Sequence, residues 1–338
     1  MDHILLIDGR EERLDLDAEL RAPLTEPLLG WVRKPHGWCR EDSCVPAAAV
    51  RAAETAQGVD VVAFAELTGR VAAVDREERV IALADAAPLT ATGRAPDFTL
   101  GGRSLSDFRG RKVALVFWAS WCGCRYDLPA WEERHAALEA HGLTVVSIAC
   151  DRDPEQARPW QEGLTHPALV DADGIVAERY NVINVPTVVW IDEEGRIARP
   201  QDTQTATDLF RSMNGIDSAA SLAALRRWVL EGDRGLTDAE IEEHLRVPAR
   251  DEQRARAHAR IAVWLARQGR TEAAAGHLAV AADLAPHDVA IRRGLMPLTG
   301  TDPFGEAYFA LREELEARGI PIYRPLNSDQ EASQCVRP

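Results

Sequence analysis

The chain has 338 residues, 46% of them hydrophobic and 28% charged, a composition typical of an ordinary globular protein. This length exceeds what one compact domain usually contains, so we expect roughly two or three domains. The formal net charge of -15 disfavours nucleic acid and anionic membranes as partners, because a diffuse acidic surface repels their phosphates.

The N-terminal sequence Met-Asp-His-Ile-Leu-Leu-Ile lacks the basic segment and the longer apolar core of a secretory signal. The apolar run from Val113 to Ala119 is too short to span a bilayer. We therefore expect a cytoplasmic protein. The chain contains six cysteines, which is not the density of a secreted disulfide scaffold. In a reducing compartment, closely spaced cysteines are more often redox-active or metal-binding.

Residues 1–92 are predicted to form a small α+β domain of unknown role. Apolar runs alternate with turn signals there, and the segments 69–74 and 79–83 have the pattern of a β-hairpin. The segment Val50–Ala56 is predicted to be helical. A short linker, Thr-Ala-Thr-Gly-Arg-Ala-Pro at residues 90–96, leads to the next region.

One cysteine pair, Cys39 and Cys44, lies in this first region. The two residues could be reduced side chains in a turn, a second redox pair that relays electrons to Cys122, or half of a metal site. Their spacing fits a zinc half-site, but no second pair of ligands at matching spacing is evident. We favour the first two interpretations and predict no metal.

Residues 95–200 have alternating strand and helix patterns, which indicates an α/β layer structure. The predicted elements are buried strands at Lys112–Trp118 and Leu143–Ala149, a helix from about Cys124 to His141, a helix at Asp153–Glu162, and a hairpin formed by Thr187–Asp192 and Arg196–Ala198.

Residues 206–325 are predicted to form a helical domain. Two helices, Ala255–Gln268 and Glu272–Ala285, have the spacing of one tetratricopeptide unit. A solenoid needs about three such units or more, so we favour an ordinary helical hairpin packed on its neighbour. We assign no role to Cys335, near the end of the chain.

A dithiol pair, Cys122 and Cys124, lies where a buried strand gives way to a helix. The free N–H groups at the start of a helix stabilise a thiolate, which is the reactive form of cysteine. The first cysteine at such a junction is activated, and the second can attack a mixed disulfide. Asp127 follows Cys124 by one helical turn, where it could transfer protons for this thiol or merely favour the first turn electrostatically.

The sequence around this pair resembles the TlpA/ResA-like thiol-disulfide oxidoreductases of the thioredoxin superfamily. The family pattern has a Trp-Cys pair, a second Cys with a basic residue after it, and then a carboxylate and a proline. This chain carries it as Trp-Cys-Gly-Cys-Arg-Tyr-Asp-Leu-Pro at residues 121–129. Three further matches follow the family's order along about a third of the chain, at residues 95–110, 185–187 and 192–196.

The resemblance implies a thioredoxin fold and specific site residues. It implies that Pro186 is a cis-proline beside the dithiol, that the backbone of Val185 pairs with an extended substrate, and that Asp127 serves the resolving thiol. Trp121 is expected to be an exposed contact surface because it adjoins Cys122. A bacterial group of ResA-like proteins with a Trp-Ala-x-x-selenocysteine-Gly motif is also similar, and its selenocysteine aligns with Cys122, which makes Cys122 the expected nucleophile.

The chain departs from the family in spacing, because Cys-Gly-Cys is one residue shorter than Cys-x-x-Cys. Residues two apart on a helix point to nearly opposite faces, so a disulfide requires Cys122 to lie before the helix. We expect Gly123 to adopt an unusual backbone angle, which glycine permits. The small ring should be strained, which predicts a more oxidising couple than that of a Cys-x-x-Cys relative.

The leading interpretation is therefore a thiol-disulfide oxidoreductase without a cofactor. Its expected partners are protein or small-molecule thiols and disulfides and a cellular reductant of unknown identity. A thiol peroxidase is disfavoured, because Leu115 and Ala119 occupy positions where peroxiredoxins have proline and threonine or serine. A redox-regulated scaffold without enzymatic activity and a thiolate metal site remain alternatives.

Overall fold

A computed structural model of the chain describes residues 1–85 and 93–326. Part of the predicted linker, residues 90–92, and Cys335 lie outside the described residues. The strands are β1 (Asp2–Ile7), β2 (Arg10–Asp15), β3 (Arg21–Ala22), β4 (Val32–Lys34), β5 (Gly37–Arg40), β6 (Ser43–Pro46), β7 (Glu54–Thr55), β8 (Gly58–Asp60), β9 (Arg70–Asp75), β10 (Val80–Asp85), β11 (Thr99–Leu100), β12 (Arg103–Ser104), β13 (Lys112–Trp118), β14 (Leu143–Ala149), β15 (Ala168–Val170), β16 (Thr187–Ile191) and β17 (Ile197–Asp202).

The helices are α1 (Ala47–Val50), α2 (Val61–Leu67), α3 (Leu128–Leu138), α4 (Pro154–Gln161), α5 (Ile175–Arg179), α6 (Arg211–Asn214), α7 (Ser218–Glu231), α8 (Asp238–His244), α9 (Arg250–Arg267), α10 (Thr271–Leu284), α11 (Val289–Arg292) and α12 (Glu306–Ala317). Within the described parts of the chain, no helix combines the length and apolar character needed to cross a bilayer.

The chain divides into two compact units, and neither is continuous in sequence. The first contains the described residues 1–85 and 248–286, and the second contains 93–247 and 287–326. The predicted division into segments 1–92, 95–200 and 206–325 differs from this, because α9 and α10 belong with the N-terminal strands. The cause is packing: Ala257 and Ile261 of α9 join Leu6, Val71 and Val80 in one apolar cluster.

The first unit is built around a four-stranded sheet with the order β2-β1-β10-β9. The predicted hairpin is present, because β9 and β10 pair in antiparallel register. The predicted helix at residues 50–56 is wrong. Helix α1 ends at Val50, and β7 turns back onto β8. Gly58 permits this turn, since its φ is +151° and a Cβ atom would lie 2.6 Å from the Ala22 carbonyl oxygen.

The second unit contains a five-stranded sheet with the order β15-β14-β13-β16-β17. The central strand β13 is parallel to β14 and antiparallel to β16. Both predicted buried strands have the bounds expected. Residues of β13 alternate between two apolar clusters: Leu115 and Phe117 face one, and Ala114 and Val116 face the other. This two-faced burial is the expected α/β layer arrangement.

The helix predicted from Cys124 to His141 is divided into three parts. A 3-10 helix at Gly123–Asp127 comes first, α3 follows, and a second 3-10 turn, Glu139–His141, ends the segment. Pro129 lies in the first turn of α3. At that position the missing N–H costs no helical hydrogen bond, so Pro129 fits at the start of the helix without breaking it.

Candidate active site

Cys122 directly precedes the 3-10 helix Gly123–Asp127 and follows the C-terminal end of β13. Its backbone is extended, with φ -121° and ψ 146°, as the short spacing required. The Cys124 backbone N–H donates to the Cys122 Sγ at 3.3 Å, and the Cys122 thiol lies 3.5 Å from the Val185 carbonyl oxygen. Both active-site thiols are free and buried.

The two thiols have opposite electrostatic environments. A hydrogen bond from the Cys124 thiol lowers the pKa of Cys122, and the positive charge of Arg293 and the Cys124 backbone N–H lower it further. Burial raises the pKa of Cys124 well above its ordinary value, and its interactions with Cys122 raise it again. Cys122 is therefore the thiol that ionises first, and Cys124 keeps its proton.

Gly123 does not have the unusual backbone angle that the sequence suggested. It lies in the 3-10 helix and is absent from the residues with positive φ. Its small size is needed for another reason, because a Cβ atom would lie 2.5 Å from Cε2 of Phe210. The ring of Phe210 thus packs directly against the backbone between the two cysteines.

Asp127 is buried beneath the dithiol, with 5% of its surface exposed. Its carboxylate accepts hydrogen bonds from the Thr207 hydroxyl at 2.5 Å and from the Ala206 N–H at 3.3 Å. Burial raises the pKa of Asp127 despite these bonds. Its side chain makes no capping bond to α3, and its negative charge raises the pKa of both thiols. The carboxylate is therefore held by Thr207 and Ala206 and makes no capping bond to α3.

The predicted cis-proline is present, because the Val185–Pro186 peptide bond is cis. The surroundings differ from an open peptide-binding edge. Val185 is 1% exposed, and the next residues upstream bond the chain's own C-terminal part. The Ile183 carbonyl accepts from the Ala290 N–H at 2.9 Å, and the Asn184 side chain donates to the Ile322 carbonyl at 2.9 Å.

Trp121 is not the exposed contact surface expected, because only 3% of it is exposed. The backbone of Gly294 lies against its indole, so that a Cβ atom at residue 294 would approach Cζ2 of Trp121 to 2.8 Å. Arg293 lies over the same ring at 5.8 Å from its centroid. The segment after α11 therefore covers this indole.

A cavity of about 250 Å³ lies on the dithiol within the second unit. Its walls come from the Cys122–Asp127 turn, from Pro186, and from aromatic side chains far along the chain, among them Phe210, Phe304, Tyr308 and Tyr323. None of these aromatic residues, nor Arg293, was predicted from the sequence to lie at the site. No local pattern marks them, because tertiary folding alone brings them to the dithiol.

The second cysteine pair forms a disulfide. Cys39 and Cys44 are cross-strand partners on β5 and β6, and their sulfur atoms are bonded. His36 Nε2 lies 3.3 Å from the Cys39 sulfur. Among the described residues, these three form the one group with the geometry of a metal site. Zinc binds thiolates, so two sulfur atoms bonded to each other are not suitable zinc ligands. The structure also does not show the two cysteines as reduced residues in a turn.

Part of the chain is similar to a known family, to curated relatives and to solved structures. A family model described as AhpC/TSA matches residues 91–199. The thioredoxin-like protein YneN of Bacillus subtilis is 40% identical over 125 residues, 34% of this chain and 71% of the relative. Thiol-disulfide oxidoreductase ResA of Geobacillus kaustophilus is 30% identical over 131 residues, 36% of this chain and 75% of the relative. The thioredoxin domain of a Bacteroides vulgatus thiol-disulfide oxidoreductase is 28% identical, with a TM-score of 0.30, and the match covers 32% of this chain and 86% of that one.

A dithiol at a strand-to-helix junction, beside a cis-proline and on a five-stranded mixed sheet, defines a thioredoxin-like oxidoreductase. The chain belongs to the thioredoxin-like AhpC/TSA family and is similar to YneN and ResA. The matched region lies wholly in the second unit, apart from residues that the structure does not describe.

Proposed function

We propose that this protein exchanges thiols and disulfides through a Cys-Gly-Cys couple, with Cys122 as nucleophile and Cys124 as resolving thiol. The observation that carries the assignment is the opposite direction of the two pKa shifts. Cys122 is poised as the thiolate, and Cys124 is held as the protonated thiol until it is needed.

The exchange proceeds in two steps. The Cys122 thiolate attacks one sulfur of a substrate disulfide, forms a mixed disulfide, and releases the first substrate thiolate. Cys124 then loses its proton and attacks the Cys122 sulfur, which forms the Cys122–Cys124 disulfide and releases the second substrate thiolate. Two electrons pass from the protein to the substrate, and the reverse sequence oxidises a dithiol.

Asp127 is the proton acceptor in the second step of this proposal. Its raised pKa lies closer to the working range of a general base than that of an ordinary carboxylate. The bonds from Thr207 and Ala206 fix the carboxylate in place, and they stabilise its charged form. The carboxylate can therefore take the Cys124 proton and return it when the couple runs in reverse.

Turnover assays with single-cysteine variants test this function. The wild type should catalyse reduction of a model disulfide by dithiothreitol, and Cys122→Ser should abolish catalysis. Without added reductant, Cys124→Ser should stop after one mixed disulfide on Cys122. The matched control Cys150→Ser should turn over normally with dithiothreitol, because the Cys150 thiol is buried with a raised pKa. Retained turnover in Cys122→Ser would refute the proposal. A peroxide-dependent rate exceeding the disulfide-dependent rate would instead establish the peroxidase alternative.

A further inference from the structure

The cavity on the dithiol is closed by a part of the chain that lies outside the family match. Residues 287–326 contribute Arg293, Phe304, Tyr308, Phe309 and Tyr323 to its walls. Pockets that hold drug-sized ligands measure roughly 300–1,000 Å³, so a cavity of about 250 Å³ has the size for a smaller molecule. Next to Val185, the Ile183 carbonyl and the Asn184 side chain also bond the chain's own C-terminal part.

The guanidinium of Arg293 is an unusual group in this apolar cavity. The residue is 4% exposed, and its Nε donates to the Pro303 carbonyl at 2.9 Å. The guanidinium stacks on Tyr308, 3.6 Å from the ring centroid. Among residues 1–85 and 93–326, no carboxylate lies in ion-pair distance, and no group accepts a hydrogen bond from Nη1 or Nη2. The charge of Arg293 lowers the pKa of the Cys122 thiol, and the spare Nη1 and Nη2 donors can bind a second anion in the cavity.

The other charges of the cavity agree with this requirement. Arg125 also lines the cavity, and its guanidinium stacks over aromatic rings. Among the described residues that line the cavity, the one acidic side chain is Asp127, whose raised pKa weakens its negative charge. The cavity is thus positive within a chain of net charge -15. Around it lie four exposed apolar residues, Tyr126, Met213, Phe304 and Phe309, so the approach to the cavity is apolar.

We infer that the substrate is a small dithiol, or its disulfide, with an apolar body and one carboxylate, and that Arg293 binds the carboxylate. This rests on the proposed function, because the same Cys122–Cys124 couple does the chemistry. A substrate thiolate attacks the Cys122 sulfur of the oxidised couple, and Cys124 leaves as a thiolate that takes a proton. The second substrate thiol then closes the substrate disulfide and releases the Cys122 thiolate, so that two electrons enter the protein.

Dihydrolipoate and dihydrolipoamide are matched probes, because they differ in a carboxylate against a neutral amide far from the sulfur atoms. The oxidised full-length chain is mixed with each probe, quenched with acid, alkylated, and read peptide by peptide by mass spectrometry. We expect dihydrolipoate to reduce the Cys122–Cys124 disulfide about tenfold faster or more, since a hydrogen bond between two charged groups is stronger than one to a neutral amide. The partly exposed Cys39–Cys44 disulfide is the internal control and should show a rate ratio near one.

Arg293→Met should bring the ratio at Cys122–Cys124 to about one, and Arg293→Lys should restore part of it. Dithiothreitol is small and neutral. Dividing each rate by the dithiothreitol rate corrects for the effect that the lost charge has on the reactivity of Cys122. A wild-type ratio of one or below, or an unchanged ratio in Arg293→Met, would overturn the inference. An equal slowing of all three reagents would assign Arg293 to the thiolate alone. Failure of dithiothreitol to reduce the couple would instead count against the proposed function.

Discussion

Gly123→Ala tests the contact between the dithiol turn and the cavity wall. The new methyl group would lie 2.5 Å from Cε2 and 2.7 Å from Cζ of Phe210. Carbon atoms in good contact are about 3.5–4.0 Å apart, so the ring must move by roughly 1 Å. The backbone angles of Gly123 accept alanine, so the expected loss of about 1–3 kcal/mol in unfolding free energy comes from overpacking alone.

Hydrogen exchange of the β13 amides measures the stability of the second unit directly. The double variant Gly123→Ala/Phe210→Leu should recover most of the loss, because the smaller side chain makes room. Gly276→Ala in α10 of the first unit is the matched control, and it is read from the amides of α9 and α10. Nothing lies within 4 Å of its added methyl group, and alanine should stabilise the helix by about 0.5–1 kcal/mol. Full stability of Gly123→Ala, or no recovery in the double variant, would refute the packing account.

Three further predictions concern the chemistry of the site. Alkylation of the reduced protein near neutral pH should label Cys122 much faster than Cys124, because their pKa values shift in opposite directions, and equal labelling rates would contradict that reading. The unfolding free energy of the wild type should fall as the pH rises from the ordinary carboxylate range through the raised pKa of Asp127, because the folded state binds the Asp127 proton more tightly than the unfolded state does. Urea unfolding between about pH 4 and pH 8 should show this loss in the wild type and not in Asp127→Asn. The same pH dependence in both proteins would exclude a raised pKa of Asp127. Equilibration with glutathione should give the Cys-Gly-Cys couple a reduction potential above the thioredoxin value of about -270 mV. Inserting a proline after Gly123 should lower this potential. A potential as low as that of thioredoxin would reject the prediction that the small ring makes the couple more oxidising.

The central strands and the dithiol position were predictable from the sequence. Lys112–Trp118 and Leu143–Ala149 are nearly continuous apolar runs, and strands buried on both faces have that pattern. The strand-to-helix junction placed Cys122 before the helix, and the family pattern identified the cis bond at Pro186. Each of these features depends on residues that are neighbours along the chain.

The misplaced features depend on contacts between distant segments. Trp121 is buried because Gly294 covers it, and Gly123 is required because Phe210 packs on it. The domain division failed for the same reason, since the partner of α9 is a sheet at the other end of the chain. The sequence pattern of one segment does not show which distant segment packs against it. The cytoplasmic location, the likeness to selenocysteine proteins and a redox relay through Cys39 and Cys44 stay predictions.

A single-turnover reaction with a chromogenic aromatic disulfide tests the central claim most directly. Every protein in this test carries Cys335→Ser, so that this thiol releases no colour. Cys124→Ser should release one equivalent of the coloured thiolate and keep the second on Cys122, as located by mass spectrometry of the 122-containing peptide. The wild type should release two equivalents and keep none, because Cys124 resolves the adduct. A stable adduct on Cys124 in Cys122→Ser, formed as fast as that on Cys122, or no adduct in Cys124→Ser, would contradict the assignment of Cys122 as nucleophile.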